Sequence, residues 1–492
     1  MEQVTEWLAA PDLAAARWLF TRALAAIYAI AFCNALLQFR PLLGADGLLP
    51  VPRHLRHVSF REQPSLFHLR YSDGLAMAVA GSGLVLALLL VAGLPQRLSS
   101  AAVLLAWLLV YALYLSIVNV GQIWYAFGWE SILLEAGFFA AFLGADDVAP
   151  SRPAMLLLAW LLFRVEFGAG LIKLRGDSCW RDLTCLDYHH ETQPLPGPFS
   201  WYAHHLPRWW HLVEVVGNHI TQLVMPFGLF APQPIASIAA AAVILTQGWL
   251  VLTGNFAWLN ALTITLATAA LDDGLLRWLP APSEPAPGDA WLTAVVLVVF
   301  AWVLVLSRHP VRNMLSRTQK MNASFNPFHL VGTYGAFGSI TRRRDELVIE
   351  GTRDRVPGPD STWHAYELKG KPGDPRRRPR QVAPYHLRLD WLMWFAALSH
   401  ATAHGWLLEL VRRLLEGDRL VRRLLRHDPF PDRPPGAVRI VRYRYRYTTR
   451  EERRETGCWW HRRRIGEDLP PVTRSPQGHL VEVGRRDRQP WS

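Results

Sequence analysis

Nine apolar stretches divide the first 307 residues of this chain into alternating hydrophobic and polar segments. A helix that crosses a bilayer needs about 20 predominantly apolar residues. The stretches predict membrane helices at residues 18–37, 75–94, 101–120, 129–144, 154–172, 212–230, 235–252, 256–271 and 291–306. The fourth and the eighth are short enough to be re-entrant or half-spanning. We therefore expect an all-α polytopic membrane bundle of about seven to nine helices.

A different pattern follows residue 308. Short apolar runs broken by glycine and proline predict strands at 328–340, 346–351 and 363–368. Alternation at period two predicts a strand with one arginine face at 438–447. Helical spacing of apolar residues predicts helices at 385–400 and 406–426. We expect a soluble α+β domain that is rich in sheet.

Charge divides the chain at the same point. Up to residue 307 there are 15 basic and 20 acidic residues, whereas the remainder carries 37 basic and 20 acidic residues. We therefore predict a transmembrane domain, residues 1–307, with a distinctive loop at 173–210, and a basic membrane-proximal domain, residues 308–492. The positive-inside rule favours a cytoplasmic C-terminal domain, but long domains can cross a membrane regardless of charge. The sequence leaves the orientation open.

The arginine-rich strand at 438–447 has two interpretations as a surface. Basic residues interleaved with tyrosine can bind nucleic acid, but they also bind anionic lipid headgroups. In a chain anchored by many helices the headgroups are the nearer partner. We expect membrane lipids, and no nucleic acid, among the partners.

The loop at 173–210 concentrates Arg, Asp, Trp, His and Pro between two apolar helices. Loops of this composition often carry function. The residues that we predict to form a functional loop are Lys173, Arg175, Asp177, Cys179, Trp180, Arg181, Asp182, Cys185, His190 and Glu191. The five residues between Cys179 and Cys185 allow a structural disulfide, which is the favoured interpretation. Two inert thiols come second and thiol redox chemistry third, because redox pairs have two intervening residues.

A polar stripe lies on the predicted sixth span. His211, Glu214, Asn218 and Gln222 recur at spacings of three, four and four, which places them on one helix face. Together with Glu166 and His219 they predict a polar cavity, formed by Glu166, Glu214, Asn218 and His219. Hydrogen bonding between helices is an equally good explanation of the stripe.

Charged and ligating side chains in the same region predict structure more than catalysis. Glu166 and Lys173 are seven residues apart and share a helix face, which favours a structural ion pair. Histidines crowd residues 189–219, but their spacing matches no closed zinc pattern, so we expect no metal. No nucleophile elbow, phosphate loop or dinucleotide fingerprint stands out. We therefore expect no cofactor and no catalytic residues.

Several segments resemble the lipase maturation factor family. They are FGAGLIKLRGDSCWRDLTCLDYHHETQPLPGP, the W-W-x-x-x-E-x-x-x-N-H pattern that ends at His219, FHLVGTYGAFGSITRRRDELVIEGT, KPGDPRRRPRQVAPYHLRLDWLMWFAAL and PFPDRPPGAVRIVRYRYRYT. They occur in the same order from about residue 164 to about residue 471. The resemblance implies a multi-pass maturation factor that helps secreted clients such as lipases to fold or assemble, with a client surface that includes residues 179–198.

The resemblance also bears on location and on the alternatives. Heavy use of arginine and alanine favours a bacterial member in the inner membrane, whereas a eukaryotic member would lie in the endoplasmic reticulum membrane. The helical core is also similar to the transmembrane class that includes the vitamin K-dependent carboxylase. That similarity implies an enzyme in which Lys173 is the base, with Glu166 and His219 nearby. A lipid-binding anchor is the third hypothesis.

Overall fold

The structure is a computed structural model that describes residues 6–281 and 284–483. The ends of the two predicted domains, residues 1–5 and 484–492, lie outside the described residues. The main helices are α1 (Ala14–Leu43), α2 (Asp73–Val91), α3 (Ser100–Val120), α4 (Gly128–Ala140), α5 (Arg152–Arg175), α6 (Leu186–Thr192), α7 (Arg208–Leu223), α8 (Ile235–Thr253), α9 (Leu259–Thr268), α10 (Ala290–Leu306), α11 (Arg388–Ala396) and α12 (Gly405–Glu416).

Shorter helices connect or extend these elements. They are Val51–His54, Leu94–Leu98, Gln122–Tyr125, Ser178–Arg181, Ser200–His204, Met225–Gly228, Arg308–Leu315, Arg419–Arg422 and Arg450–Thr456. Single turns of 3-10 helix occupy Pro11–Leu13, Leu66–His68, Asp273–Leu275 and Ala401–Ala403. Serine side chains begin two of the long helices, since Ser72 and Ser99 accept hydrogen bonds from the first turns of α2 and α3.

All nine predicted apolar stretches contain helix, and the predicted membrane bundle is confirmed. Within the described residues, six helices are long and apolar enough to cross a membrane: Pro11–Leu43, Asp73–Val91, Ser100–Val120, Arg152–Arg175, Ile235–Thr253 and Ala290–Leu315. The stretches at 129–144, 212–230 and 256–271 form the shorter helices α4, α7 and α9. At 13 and 10 residues, α4 and α9 extend for only about 20 and 15 Å. The sequence predicted both of these as short.

One end of the bundle, which we call the amino end, contains the start of α1 and the connection between α4 and α5. The Arg17 guanidinium donates to the backbone carbonyls of Ala145 at 2.6 Å, Asp146 at 2.8 Å and Val148 at 2.6 Å, in the connection between α4 and α5. The backbone N–H groups of Ala15 and Ala16 donate to the Asp273 carboxylate. The beginnings of α1 and α5 and the region after α9 therefore lie at one end.

The opposite end of the bundle, which we call the carboxyl end, contains the remaining connections between helices. Gln122 donates to the carbonyl of Leu49, and the backbone N–H of Asn255 donates to the carbonyl of Leu195. Gln319, which follows α10, donates to the carbonyl of Gly168 near the end of α5. Within the described ranges, nine segments of chain therefore run in turn from one end to the other, with α7 and Met225–Gly228 making one of them.

The C-terminal region contains an antiparallel sheet of five strands at the carboxyl end. The strands are β1 (Arg344–Thr352), β2 (His364–Ala365), β3 (Ala437–Tyr447), β4 (Trp460–Arg474) and β5 (Leu480–Glu482), in the order β2-β1-β3-β4-β5. Val348 lies opposite Val441 in the β1–β3 pair. The predicted strand at 438–447 forms, but the register between β3 and β4 shifts at Ile440/Val441. The arginine face is therefore interrupted by a bulge.

The predicted strand at 328–340 is wrong. The segment forms turns and extended chain without a strand partner in the described structure, because α5 and its C-terminal extension take its backbone groups. The carbonyl of Gly332 accepts from Arg164, and that of Gly338 accepts from the backbone N–H of Asp177 at 2.8 Å. A Cβ on Gly176 would lie 2.1 Å from the carbonyl oxygen of Gly338, so the two backbones touch.

Other parts of the C-terminal prediction need smaller corrections. The helix predicted at 406–426 ends at Gly417, which has a φ of +72°, and a second short helix follows it. The helix predicted at 385–400 is reduced to α11. The long strand β4 was not predicted, because residues 460–474 lack an alternating pattern: eight of the first nine are at least partly exposed.

Helix α11 lies within the helical bundle and not apart from it. The His386 ring packs against Trp129 at 5.2 Å and Trp258 at 5.6 Å between centroids. Arg388 donates to Glu130 on α4 at 2.8 Å, and both side chains are fully buried. The sheet-bearing region and the helical region therefore share one continuous core.

Candidate functional site

Residues 173–210, which we call the signature segment, are folded into short helices. Helix α5 ends at Arg175 with Gly176 as its C-cap, and Asp177 then caps Ser178–Arg181 by accepting from the backbone N–H of Cys179 at 3.1 Å. A disulfide joins Cys179 to Cys185, with a Cα–Cα distance of 4.8 Å. The bridge is buried with Trp180, and it fixes the turn that leads into α6.

The charged residues of this segment point in different directions. Arg175 donates to Gln319, and Arg181 donates to the carbonyl of Leu174 at 2.7 Å. Arg181 and Asp182 are exposed on the surface of the carboxyl end. These two side chains are available to a macromolecule, whereas Lys173 and His190 are buried.

The C-terminal sheet holds the second half of the signature segment. Arg344 of β1 donates to the carbonyls of Glu191 at 2.9 Å and Pro194 at 3.1 Å. The backbone N–H of Tyr447 donates to the Glu191 carboxylate at 2.6 Å, and Trp201 donates to the carbonyl of Thr448. Burial raises the pKa of Glu191, opposed by these contacts. The segment is thus clamped between the bundle and the sheet.

A cavity of about 740 Å³, the membrane cavity, lies beneath this clamp. Its wall is mostly apolar, with Ile132, Leu250, Phe256, Phe337 and Trp391 among the lining residues. Its size falls in the range of small-molecule sites, about 300–1,000 Å³. The polar side chains that line it are Glu166, Lys173, His189, His190, Glu214, Asn218, Gln222, Thr246, Gln247, Asn260, Thr263, Asn322 and Ser339.

Lys173 lies in this wall and does not reach outward to lipid headgroups. Its Nζ donates to Asn218 Oδ1 at 2.9 Å and to Gln222 Oε1 at 2.7 Å. The ammonium also lies 4.8 Å from the centre of the Trp180 ring, a cation–π contact. The amides solvate a charge that would otherwise be costly to bury in a membrane bundle.

Glu166 accepts a hydrogen bond from α8, which is linked in turn to α9. Gln247 donates to Glu166 Oε1 at 2.7 Å and accepts from Asn260 at 2.6 Å. The direct ion pair between Glu166 and Lys173 that the sequence predicted does not form. Lys173 donates instead to amides of α7, and Glu166 accepts from the Gln247 amide of α8. Gln247 and Asn260 were missed by sequence reasoning, although polar side chains inside apolar spans are a recognisable signal.

The polar stripe on α7 faces the cavity through Glu214, Asn218 and Gln222. His219 does not join them, since its Nε2 lies 3.0 Å from the carbonyl of Trp180 and its ring packs against that side chain. The predicted cavity residues Glu166, Glu214 and Asn218 are therefore brought together. His219 lies behind Trp180, because its position beside the stripe turns it toward the disulfide-bonded turn.

Histidine side chains from two helices meet Glu214 at one edge of the cavity. Nε2 of His190 on α6 lies 3.5 Å from Glu214 Oε2, and the His190 and His211 rings are 5.9 Å apart. One ligating atom from each of these three residues lies within 4.8 Å of the others.

His204, a neighbour of this group, has a shifted pKa. Burial, with smaller contributions from neighbouring histidines, lowers the pKa of His204 to about 3. A neutral imidazole is therefore the state of His204 at pH 7.

Two buried ion pairs stabilise the walls of the cavity. Arg164 pairs with Glu135 through a bidentate contact, and Tyr334 donates to the same carboxylate at 2.7 Å. Arg388 pairs with Glu130, as described above. The residue that neutralises Glu130 lies 258 positions away, a separation that no local sequence pattern predicts.

Comparison with known proteins gives a consistent assignment. The family model described as the lipase maturation factor transmembrane domain matches residues 15–278, and the one described as the lipase maturation factor C-terminal domain matches residues 330–470. The chain is 41% identical to lipase maturation factor 1 of Bos taurus, over 93% of this chain and 89% of the relative. It is 40% identical to the Homo sapiens protein of that name, over 93% and 88%.

Identity to a second group of relatives is lower. Lipase maturation factor 2 of Gallus gallus is 29% identical, over 96% of this chain and 84% of the relative. No solved structure matches the chain. The two family models together reach from the first long helix to β4, and the lipase maturation factor 1 relatives match nearly the whole length. The chain is a multi-pass membrane protein that belongs to the lipase maturation factor family.

Proposed function

We propose that this protein promotes the folding or assembly of a secreted client, of the lipase class, and does so without catalysing a reaction on it. The observation that carries the proposal is the identity of 41% to lipase maturation factor 1 over 93% of the chain. The family acts in lipase maturation, which makes a lipase the first client to test. The carboxylase-like alternative has no support from the relatives.

The carboxyl end is the surface that we assign to the client. It presents the exposed side chains of Arg181 and Asp182 beside the C-terminal sheet. The Cys179–Cys185 disulfide and the Arg344 contacts fix this surface before a client arrives. A preformed surface lowers the conformational entropy that binding would otherwise cost.

We place the carboxyl end on the exoplasmic side of the membrane, the bacterial periplasmic side or its equivalent in the endoplasmic reticulum. Disulfides persist in oxidising compartments, and secreted clients fold there. The excess of basic residues at this end argues for the opposite orientation under the positive-inside rule, but that rule is weak for long domains.

Sidedness is tested with a membrane-impermeant maleimide on intact cells, before and after reduction. Labelling of Cys179 and Cys185 only after reduction would support the exoplasmic placement. Labelling that requires both reduction and an opened membrane would place the disulfide on the cytoplasmic side and overturn it. The replacement Cys458→Ser keeps the remaining C-terminal thiol out of the measurement.

The function is tested by co-expressing a secreted lipase in a host that lacks a maturation factor of its own. The measurement is enzymatic activity per mass of secreted lipase. We expect the native protein to raise it, the double variant Cys179→Ser/Cys185→Ser to lose most of the increase, and Cys458→Ser to retain it. Absence of any increase with the native protein refutes the lipase client.

Lys173→Met separates the proposal from the enzyme hypothesis in the same assay. A maturation factor that acts by binding should keep its effect on the lipase, provided that membrane levels of the variant match those of the native protein. Loss of the effect at equal protein levels would show that the Lys173 ammonium is needed for chemistry or for binding within the membrane cavity.

A further inference from the structure

A group of three side chains at the edge of the membrane cavity has the composition of a metal site. His190 comes from α6, and His211 and Glu214 come from α7, where a spacing of three puts both on one helix face. One ligating atom of each lies within 4.8 Å of the other two. The chemistry of two imidazoles and one carboxylate is the set that binds catalytic zinc in several unrelated proteins.

The distances favour an ion more than a simple hydrogen bond. The 3.5 Å between His190 Nε2 and Glu214 Oε2 is at the outer limit of hydrogen bonding. Ligands bound tetrahedrally at about 2.0–2.1 Å from one zinc ion lie about 3.4 Å from each other. The pair is therefore already at the separation that a shared ion requires, and the third ligand atom lies within 4.8 Å of both.

Outer contacts orient two of the ligands. The Trp249 indole donates a short hydrogen bond to the second oxygen of Glu214. The ring of His211 has the carbonyl of Ala203 at 3.1 Å from Nε2 and the carboxylate of Asp187 at 3.4 Å from Nδ1. A ligating histidine commonly donates its second N–H to a carboxylate or a carbonyl. Both nitrogens of His211 face such an oxygen, so metal binding replaces one of the two contacts and the other orients the ring.

Burial and access are also suitable. His190 and His211 are 2% and 4% exposed, which excludes competing bulk water from most of the site. His190 and Glu214 both line the membrane cavity, which leaves a position for a fourth ligand from that side. The Lys173 ammonium of α5 is held by Asn218 and Gln222, which lie one and two turns beyond Glu214 on α7.

We propose that His190, His211 and Glu214 form a binding site for one divalent transition-metal ion, with zinc as the best-fitting ion and the fourth position open to the membrane cavity. Imidazole and carboxylate ligands suit zinc, and a three-ligand site with an open position is the usual form of a zinc site that is not purely structural. The ion ties α6 to α7 and so stiffens the signature segment. The site does not depend on the identity of the client.

The test uses the full-length protein in detergent, purified without a polyhistidine tag and stripped with a chelator. Zinc is then titrated against a chromophoric competitor, and bound metal is counted by mass spectrometry after desalting. We expect one tightly bound equivalent and a higher thermal midpoint with zinc than without it. Cobalt substitution should give the strong visible bands of a four-coordinate ion.

The decisive variant is Glu214→Gln, which keeps an acceptor for Trp249 but removes the anionic ligand. Affinity should fall about 10- to 100-fold or more, since even outer-shell changes cost this much. His219→Asn is the matched control on the same helix and should leave zinc binding unchanged. Native-like zinc affinity in Glu214→Gln, or no stoichiometric zinc in the native protein, would overturn the proposal.

Loss of folding in a variant is separated from loss of the site by a second pair of measurements. His190→Gln and His211→Gln should each lose zinc while eluting as monodisperse protein with the thermal midpoint of the zinc-free native form. If these variants keep the zinc-dependent rise in thermal midpoint, the ion binds elsewhere and the assignment is wrong.

Discussion

Arginine side chains neutralise two of the buried glutamates of the bundle, Glu130 and Glu135. Glu130 accepts from Arg388 and from the Tyr114 hydroxyl, and Arg388 lies 3.4 Å above the centre of the Tyr125 ring. Each of these groups would be costly to bury alone. The arrangement makes the pair a point of high sensitivity to single substitutions.

Arg388→Met should therefore destabilise the protein by about 3–5 kcal/mol, because it leaves the Glu130 carboxylate buried without its cation. The double variant Arg388→Met/Glu130→Gln should recover a large part of the loss. Thermal midpoints in detergent give the comparison. Arg464→Met is the control. Arg464 forms a surface ion pair with Glu467 at 2.7 Å, and its replacement should lower the stability by no more than about 1 kcal/mol. Equal effects at the two sites would contradict this account.

Asp390 gives the native state a predicted dependence on pH. Burial raises its pKa from 3.8 to about 6, opposed by the Gly370 N–H and by Lys371, Lys369 and Arg377. The folded protein therefore holds this proton more tightly than the unfolded chain does. The stabilising contribution is fully present below pH 3.8 and is lost as the pH rises through about 6.

Asp390→Asn should remove this loss of stability with rising pH, because an amide does not titrate. The amide also keeps an acceptor for the Gly370 N–H, which lies 2.5 Å from Asp390 Oδ1. The measurement is the thermal midpoint at several pH values across that window. The midpoint of the variant should fall less with rising pH than that of the native protein. The exposed control Asp432→Asn should follow the native curve, and an identical slope in all three proteins would refute the assignment.

The spacing of single residues predicted faces but not partners. The stripe Glu214, Asn218 and Gln222 was identified from its helical period, and it lines the cavity as that period implies. Its partners Lys173 and Trp249 come from neighbouring helices. Periodicity specifies which side of a helix is polar, whereas the choice of neighbour depends on how nine segments pack, which no local pattern encodes.

At the level of elements, a glycine decides where helix α12 of the C-terminal region stops. Helix α12 continues its apolar spacing past residue 416, but Gly417 adopts a φ of +72° and closes the helix with a left-handed turn. A Cβ at this position would lie 2.7 Å from Cγ of Pro434. Both backbone conformation and packing therefore select glycine here.

Gly417→Ala should destabilise the protein by about 1 kcal/mol or more, because alanine is strained at positive φ and would displace Pro434. Gly405→Ala, at the first residue of the same helix, is the matched control, since no atom lies within 4 Å of a Cβ there. Its expected effect is neutral or slightly stabilising. The thermal midpoints of the two variants are compared. A larger decrease for Gly405→Ala than for Gly417→Ala would contradict the prediction.

Elements with strong periodicity were predictable, and elements fixed by tertiary contacts were not. The long spans and β3 follow directly from apolar runs and alternation. The segment 328–340 has apolar residues typical of a strand, but its carbonyls accept from Arg164, Trp180 and the backbone of Asp177. Satisfaction of its backbone groups by a helix terminus removed the need for a sheet partner.

For the whole molecule, nine passages through the bundle place the two ends of the described chain on opposite faces. The amino end holds Arg17 and Asp273, and the carboxyl end holds the signature segment and the sheet. The number of passages exceeds the six long apolar helices because α4, α7 and α9 are short. Hydropathy alone could not settle this parity, since it depends on segments below the length of a full span.

Single reporter cysteines test that parity. In a Cys33→Ser/Cys458→Ser background, Arg97→Cys at the amino end and Arg56→Cys at the carboxyl end should react with an impermeant maleimide from opposite sides of the membrane. Both positions are exposed in the native protein. Labelling of the two from the same side would contradict the odd number of passages, whichever side that is.

The position of Arg388 inside the bundle has a consequence for how the protein is made. Membrane helices insert as they emerge from the ribosome, so α4 enters the bilayer about 250 residues before Arg388 exists, and Glu130 must wait for it. The buried amides of Asn34 and Gln38 likewise lack their acceptor, the carbonyl of His386, until that residue is made. A chain cut short before residue 386 would carry an unneutralised glutamate in its helical core. Completion of synthesis is thus itself the last step in closing the bundle, and a product that ends before Arg388 keeps an unpaired charge in its core.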